Sequence, residues 1–419
     1  MSALNPKRTV AELKELRSLT GDENGAQRVA FTKTWLKARE WLREKVKGLP
    51  LEIHNDAAGN TWFTLAGASE KSLLIGGHMD SVPNGGWLDG SLNVLAGVEI
   101  LRRINAQYNG KPPVTVRLVD WADEEGARFG KSLFGSSACS GNLNLAEART
   151  LKDKDDISLP EALRDVGIDF EKVKDSRKEL KDTRARVAAY LELHIEQGPV
   201  LLDLNLPLAA VLGTFGVERH AITFHGQAAH SGSTPMNRRK DAFLAAAKMS
   251  PEIYRIAERS GNGVCTIGSC TTKPGIVTSV VEDCRITLDQ RHLDPAALEK
   301  MLFEAKAASS KFADEGKVLA SWERLWHIAP RPFNDELIAL CDEAIRESCG
   351  QSHRMPSGPL HDAAEVAAVG VPTVMMFVQS LHGISHNKIE DTKEEHLELA
   401  VTAFDKLAEK TMHWMGRNS

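Results

Sequence analysis

Apolar residues recur at helical spacing over about 28–47 and stop at Gly48, which predicts a helix with a glycine at its C-terminal end. Ile53 to Leu65 predicts two short strands around the turn Asp56-Ala57-Ala58-Gly59-Asn60. The run Leu73, Leu74, Ile75 predicts a buried strand that empties into Gly76-Gly77-His78. A helix over about 92–107, a β-branched strand Val114–Val119 and a further apolar run Val187–Leu193 follow. Strands that alternate with helices predict an α/β fold, with a mostly parallel sheet covered by helices on both faces.

The pattern changes at Gly213. His220–His225 alternates as a half-buried strand does, a helix is predicted over about 239–258, and the runs Val264–Ile267 and Val280–Leu288 precede a helix over about 295–314. After Pro332 the first pattern returns, with a helix over 333–348, the run Thr373–Val378 and a closing amphipathic helix over about 393–415. The expected organisation is a discontinuous domain, 1–212 and 331–419, interrupted by a smaller α+β domain, 213–330.

At 419 residues, two domains are expected, because single cores stop growing at about 250–300 residues. The net charge of −5, with acidic and basic residues interleaved, argues against nucleic acid or an anionic membrane as partner. No run of about 18 apolar residues is present, and the start MSALNPKRTVAELKEL reads as a charged helix rather than a signal peptide. Six cysteines without Cys-x-x-Cys spacing read as free thiols in a reducing cytoplasm.

Four segments share one form, an apolar strand that ends in ligand-type residues: Leu73–Ile75 into His78, Val116–Trp121 into Asp123-Glu124-Glu125, Tyr190–Leu193 into His194, and Met375–Val378 towards Ser385-His386. Open α/β sheets bind ligands beyond the carboxyl ends of their strands. The expectation is therefore that His78, Asp89, Glu124, Glu125, His194 and His386 converge. Three imidazoles and carboxylates without a thiol suit two borderline divalent ions, Zn2+ or Mn2+, with Co2+ or Ni2+ also possible. Asp89, on a glycine-rich loop after the first histidine, is the natural bridge, and Asp80 can hold the second ring nitrogen of His78. Of the adjacent pair, one glutamate can ligate while the other takes a proton from an activated water and delivers it to a leaving nitrogen.

The motifs GGHMDSVPNGGWLDG, DEEGARFG, ELHIEQGP, AAHSGSTPMNRRKDA and GISHNKIED resemble those of the M20 metallopeptidase clan. More closely they resemble its amidase branch of N-carbamoyl-L-amino-acid hydrolases, β-ureidopropionases and allantoate amidohydrolases, which is marked by His194 in HIEQG. The resemblance implies that His78 and His194 hold one ion, Glu125 and His386 the other, with Asp89 bridging. It implies that Asp80 orients His78 and that Glu124 is the general acid/base. It assigns His230 to the tetrahedral oxyanion, from an inserted domain that in these families builds a homodimer and reaches a site across its interface. Arg291 matches the arginine that binds the substrate carboxylate, and Gln197 and His361 match further substrate contacts.

Two departures lie on the substrate side. Thr278 stands where the family usually has asparagine, thirteen residues before Arg291, and Gly358-Pro359-Leu360-His361 replaces a run of small residues. A hydroxyl lacks the reach and the second polar group of an amide. The expected activity is hydrolysis of an N-carbamoyl-L-amino acid to amino acid, ammonia and carbon dioxide. Allantoate or another ureido compound comes second, an aminoacylase or dipeptidase of the clan third, and a non-catalytic binding homologue last.

Overall fold

The apolar runs become four adjacent parallel strands, Thr373–Val378, Val187–Ile195, Ser69–His78 and Val114–Trp121, in that spatial order. The structure, a computed structural model, describes residues 4–181 and 186–417. Every residue of Thr373–Val378 is buried, as are Ser72–His78 and Ala189–Ile195. Such continuous burial is the signature of strands covered on both faces. Each fully buried Val, Leu, Ile, Phe or Met side chain contributes about 1.5–3 kcal/mol. Antiparallel strands extend the sheet, with Leu208–Thr214 beyond Thr373–Val378, and Thr61–Leu65 then Glu52–Asn55 beyond Val114–Trp121. The helices Ser91–Gln107, Asp335–Cys349 and Glu394–Arg417 contribute Leu95, Leu101, Ile338, Ile345, Phe404 and Leu407 to the core built on these strands.

In sequence, the strand Ser69–His78 is followed by Val114–Trp121 on one side and later by Val187–Ile195 on the other. The strand order reverses between Ser69–His78 and Val187–Ile195, so these two strand ends flank a topological switch point. His78 and His194 sit at those ends.

The chain forms two compact units, one of residues up to Leu212 together with those from Phe333, the other Gly213–Pro332. The return crossing falls two residues later than the sequence suggests, because Arg331 and Pro332 pair antiparallel with Thr214 and Gly213. The second unit is a four-stranded antiparallel sheet, ordered Val264–Lys273, Asp283–His292, Gly216–His225, Leu319–Ile328. Asp283–His292 alternates between half-buried and buried positions. Its covered face joins Ile286 and Leu288 to Met249, Ile253 and Met301 of the helices Ala242–Ser260 and Pro295–Gly316.

Several boundaries differ from expectation. The helix predicted from 28 begins at Lys33, where Thr32 caps it by accepting from Trp35 N. Arg28 to Phe31 instead run as a loop, and Phe31 has φ 60°. The helix predicted from 239 begins at Ala242 behind its cap Asp241. The strands Leu208–Thr214, Leu319–Ile328 and Arg354–Ser357 were not predicted, nor were the short helices between Phe134 and Arg177.

Candidate metal centre

The end of Ser69–His78 turns sharply, and Gly90 closes against it with φ 63°. A Cβ at Gly90 would lie 2.4 Å from two atoms of the His78 ring, so only glycine lets the loop approach this closely. Asp89, just before it, is therefore held against His78. Its Oδ1 lies 3.7 Å from His78 Nε2 and 3.1 Å from His194 Nε2. Its Oδ2 lies 3.6 Å from His386 Nε2, which is 3.2 Å from Glu125 Oε2.

The ligand atoms fall into two trios, His78–Asp89–His194 and Asp89–Glu125–His386, each with its atoms within 4.8 Å of one another. Donors 2.0–2.1 Å from a tetrahedral ion lie about 3.4 Å apart, and the separations above bracket that value. His78 Nε2 and Glu125 Oε1 are buried without a hydrogen-bond partner among the described residues, as atoms awaiting a cation would be. His194 Nδ1 faces its neighbour's carbonyl, Ile195 O, at 2.8 Å, so the proton sits there and Nε2 keeps its lone pair for a ligand. The residues present fit two divalent ions. The first trio is buried, while the His386 side chain, 52 % exposed, opens the second to solvent.

The carboxylates divide by charge. Burial alone would raise Asp89, but the imidazoles of His194, His78 and His386 outweigh it and hold Asp89 well below the ordinary range. Burial, then the Asp89 charge, pushes Glu125 up to about 9. Glu124 is raised well above its usual value, chiefly by burial; its Oε2 lies 3.8 Å from His78 Nε2. Burial lowers the affinity of His78 and His194 for a proton, yet the surrounding carboxylates, Glu124 and Asp80 around His78 and Asp89 beside His194, raise both overall.

Asp80 does more than expected of it. Its carboxylate lies 3.6 Å from His78 Nδ1, whose nearer contact is the Asp80 carbonyl at 3.2 Å. The same carboxylate accepts from the backbone amides of Glu124 at 3.3 Å and Glu125 at 3.2 Å. One side chain thus fixes the loop that carries both glutamates. Gln197, at φ 59°, donates from Nε2 to Asp89 Oδ2 at 2.8 Å. His361 differs from the expected substrate contact. It is 1 % exposed, its ring centroid lies 4.4 Å from that of His194, and Nε2 meets Ser357 Oγ at 2.9 Å. That is a packing position against His194, not an open one.

His230, Thr278 and Arg291 belong to the second unit. Ala229–His230 pairs antiparallel with Ser279–Val280, and Ser231 N donates to Thr278 O at 2.9 Å, so His230 and Thr278 share one ribbon. Arg291 lies on Asp283–His292, with its Nε bonded to Asp289 Oδ1 at 2.8 Å; Arg219 bonds the other oxygen of Asp289 at 2.6 Å.

The family model for peptidase family M20/M25/M40 matches residues 74–410. The chain belongs to this family. It is 33% identical over 382 residues to an N-carbamoyl-L-amino acid amidohydrolase of Geobacillus stearothermophilus, covering 88% of this chain and 90% of that one. It is 31% identical over 371 residues to an allantoate amidohydrolase of Escherichia coli (strain K12), covering 88% of each. The crystal structure of a hydantoinase/carbamoylase family amidase from Burkholderia multivorans matches with a TM-score of 0.85 at 29% identity, over 97% of each chain.

In this M20 family member two site residues escaped the sequence reading. Glu390 is 2 % exposed and accepts from the backbone amides of Leu88 at 3.2 Å and Asp89 at 3.1 Å through Oε1. Through Oε2 it accepts from Ser385 Oγ at 2.7 Å. It lies in GISHNKIED, so its signal was present, but nothing local ties it to Asp89. Arg28 is fully buried, donates from Nε to Met79 O at 2.8 Å and from its backbone N to Ser81 Oγ at 3.1 Å, and its carbonyl accepts from Ser81 N at 3.2 Å. It braces the turn between His78 and Asp80.

Proposed function

We propose that the protein is a dinuclear metal-dependent amidohydrolase that cleaves the carbamoyl C–N bond of N-carbamoyl-L-amino acids. The observation that carries this reading is Asp89, whose two carboxylate oxygens are each shared by a separate ligand trio. His78, Asp89 and His194 would hold one ion and Asp89, Glu125 and His386 the other, with Zn2+ or Mn2+ favoured by the donors and Co2+ or Ni2+ also compatible. Bound ions of this kind bring the pKa of water to about 7 and polarise a substrate carbonyl.

The chain's own groups do the rest. Glu124, buried beside His78 and outside both ligand trios, takes the proton of the attacking water and passes it to the leaving nitrogen. Asp80 holds Glu124 and Glu125 by their amides, and His361 buttresses His194. His230 of the second unit donates to the oxyanion, Arg291 of the same unit receives the substrate carboxylate, and Thr278 adds a polar contact, while Gln197 of the first unit supplies a further one beside Asp89. Water adds at the carbamoyl carbon, the bond to the amino-acid nitrogen breaks as that nitrogen takes the proton, and the carbamic acid released with the amino acid decomposes to ammonia and carbon dioxide.

A second reading, in which a ureido acid such as allantoate is the preferred substrate, is supported by the 31% identity to an allantoate amidohydrolase. A homodimer built through the second unit belongs to the proposal, since Phe303 at 70 % and Leu319 at 74 % exposure leave apolar surface to cover. Six free cysteines suit a reducing compartment, the cytoplasm. Among the described residues, no helix is long and apolar enough to cross a membrane.

The test is ammonia release by metal-loaded protein from a panel of N-carbamoyl-L-amino acids, allantoate and N-acyl-amino acids, before and after chelation. Activity on the carbamoyl set, lost with chelation and restored by Zn2+ or Mn2+, is expected. A panel without turnover on any carbamoyl or ureido compound rejects the substrate class. Turnover that survives complete metal removal rejects the mechanism.

A further inference from the structure

Two backbone amides converge on one atom of His230. Gly232 N lies 3.1 Å and Ser233 N 3.2 Å from His230 Nδ1, and both point their hydrogens at it. A nitrogen that accepts two N–H bonds carries a lone pair, so the ring proton is on Nε2. The flipped ring would set a C–H against both amides. The arrangement leaves Nε2–H as the donor of an exposed imidazole.

The amides come from a tight turn that follows the ribbon. Thr234 N bonds back to His230 O at 3.1 Å, closing the turn over the ring. Arg239 then clamps the turn from the other side. Its Nε donates to Thr234 O at 3.1 Å and its Nη2 to Ser231 O at 2.7 Å, so one planar guanidinium spans both ends of the turn. Gly232 is part of the fit: a Cβ there would lie 3.3 Å from His230 Cε1 and press on the ring.

We propose that Arg239 is a positioning residue for hydrolysis: by holding the Ser231–Thr234 turn, it keeps His230 as the Nε2–H tautomer, a fixed donor for the charge that develops on the substrate oxygen. This rests on the reading of His230 as the oxyanion donor. A lysine at 239 keeps the charge but is a point donor on a flexible stem, unable to bridge two carbonyls in one plane. The neighbouring Arg238, exposed and without a side-chain bond to the turn, is the matched control for charge.

The experiment uses the full-length metal-loaded enzyme and the carbamoyl amino acid it turns over best. Losing one oxyanion donor costs about 10²–10³ in kcat and misaiming it costs less, so Arg239→Lys is expected to lower kcat about tenfold while KM stays within about twofold. Arg238→Gln is expected to leave both unchanged. In a His230→Ala background, Arg239→Lys is expected to cost nothing further, since it acts through a ring no longer there. Selective 15N labelling of histidine reads the ring directly: one protonated nitrogen, Nε2, in the wild type, and tautomer-averaged shifts in Arg239→Lys. Gly232→Ala, which leaves Arg239 in place, is expected to lower kcat by a similar factor with an unchanged melting temperature. The inference is overturned if Arg239→Lys costs the same factor with and without His230, or if kcat falls while the 15N signature stays as in the wild type. If His230→Ala itself retains full kcat, the oxyanion reading fails first, and the inference falls with it.

Discussion

Asp80→Asn separates what holds the site from what holds the fold. The carboxylate is fully buried and accepts one bond from each of the Glu124 and Glu125 amides. Asparagine offers one acceptor oxygen and one NH2, so one backbone N–H keeps its partner while the other meets a donor. An unpaired buried N–H costs about 1–3 kcal/mol. Against this, the Asp80 charge helps to hold Asp120, Asp123 and Glu125 above their ordinary values, and removing it relieves all three. Each pKa unit recovered returns about 1.4 kcal/mol, the same order as the loss. Denaturant unfolding of the metal-free protein is therefore expected to shift by less than about 2 kcal/mol in either direction.

Function has no such offset. The loop that carries the proposed ligand Glu125 and the proposed acid/base Glu124 would be displaced together, and losing a partner that orients metal ligands lowers metal affinity or activity about 10–100-fold. Ion binding measured by equilibrium dialysis should weaken by that factor, and ammonia release at saturating metal should fall at least about 100-fold, or 2.7 kcal/mol of barrier. A stability loss above about 4 kcal/mol with metal affinity intact would show that Asp80 serves the fold instead. Turnover within threefold of the wild type would refute the reasoning altogether.

Glu124→Gln should keep two ions per chain by metal analysis while turnover falls about 10²–10⁴-fold, and retention of more than a tenth of it excludes Glu124 as the base. The metal-free protein should lose stability steadily from pH 5 to 9. Glu390, pushed to about 7 by burial and by Asp89, and Glu125, pushed to about 9, hold protons that the unfolded chain releases above its ordinary carboxylate range. Their stabilisation is complete below that range and is lost as pH rises through the folded values; the raised His78 and His194 act in the same sense above about 6.5. Denaturant midpoints that rise across this window contradict the assignment. Ion binding near pH 7 should release protons from these groups, read as a dependence of calorimetric heat on the buffer's ionisation enthalpy; buffer-independent heat is the contrary result. Asp289→Asn should raise KM about tenfold with kcat within threefold, because it weakens the charged bonds that aim the guanidiniums of Arg291 and Arg219, and an equal loss on a substrate with a blocked carboxylate refutes a carboxylate-binding role.

The strands that carry the ligands were legible because parallel strands buried on both faces are written as unbroken apolar runs. Leu73–Ile75 and Thr373–Val378 leave no alternative face to choose. Other strands were hidden by composition. Leu208–Thr214 holds two alanines and a glycine, poor strand formers, and Leu319–Ile328 is an exposed edge strand whose glutamate, arginine and histidine disguise its period. Arg28 looks helical from sequence because Phe31 and Trp35 extend the helical spacing of the segment that follows. The bonds that pull it out of the helix run to Met79 and Ser81, more than fifty residues away. Glu390 was missed for the same reason, since its partners Leu88 and Asp89 lie about three hundred residues distant. Local pattern names ligands at strand ends; it is silent about groups whose only logic is a tertiary hydrogen bond.

Asp89, like His386, lies on a loop well past a strand end, and its placement bears on the charge order of the candidate site. It stands directly before Gly90, the N-cap of the helix Ser91–Gln107, where the helix dipole favours an anion. Three imidazoles face it as well, so it holds its proton less tightly than usual, whereas burial makes Glu124, Glu125 and Glu390 hold theirs more tightly. Asp89 is thus the readiest anion shared by the two candidate trios, beside carboxyls whose protons a cation would have to displace.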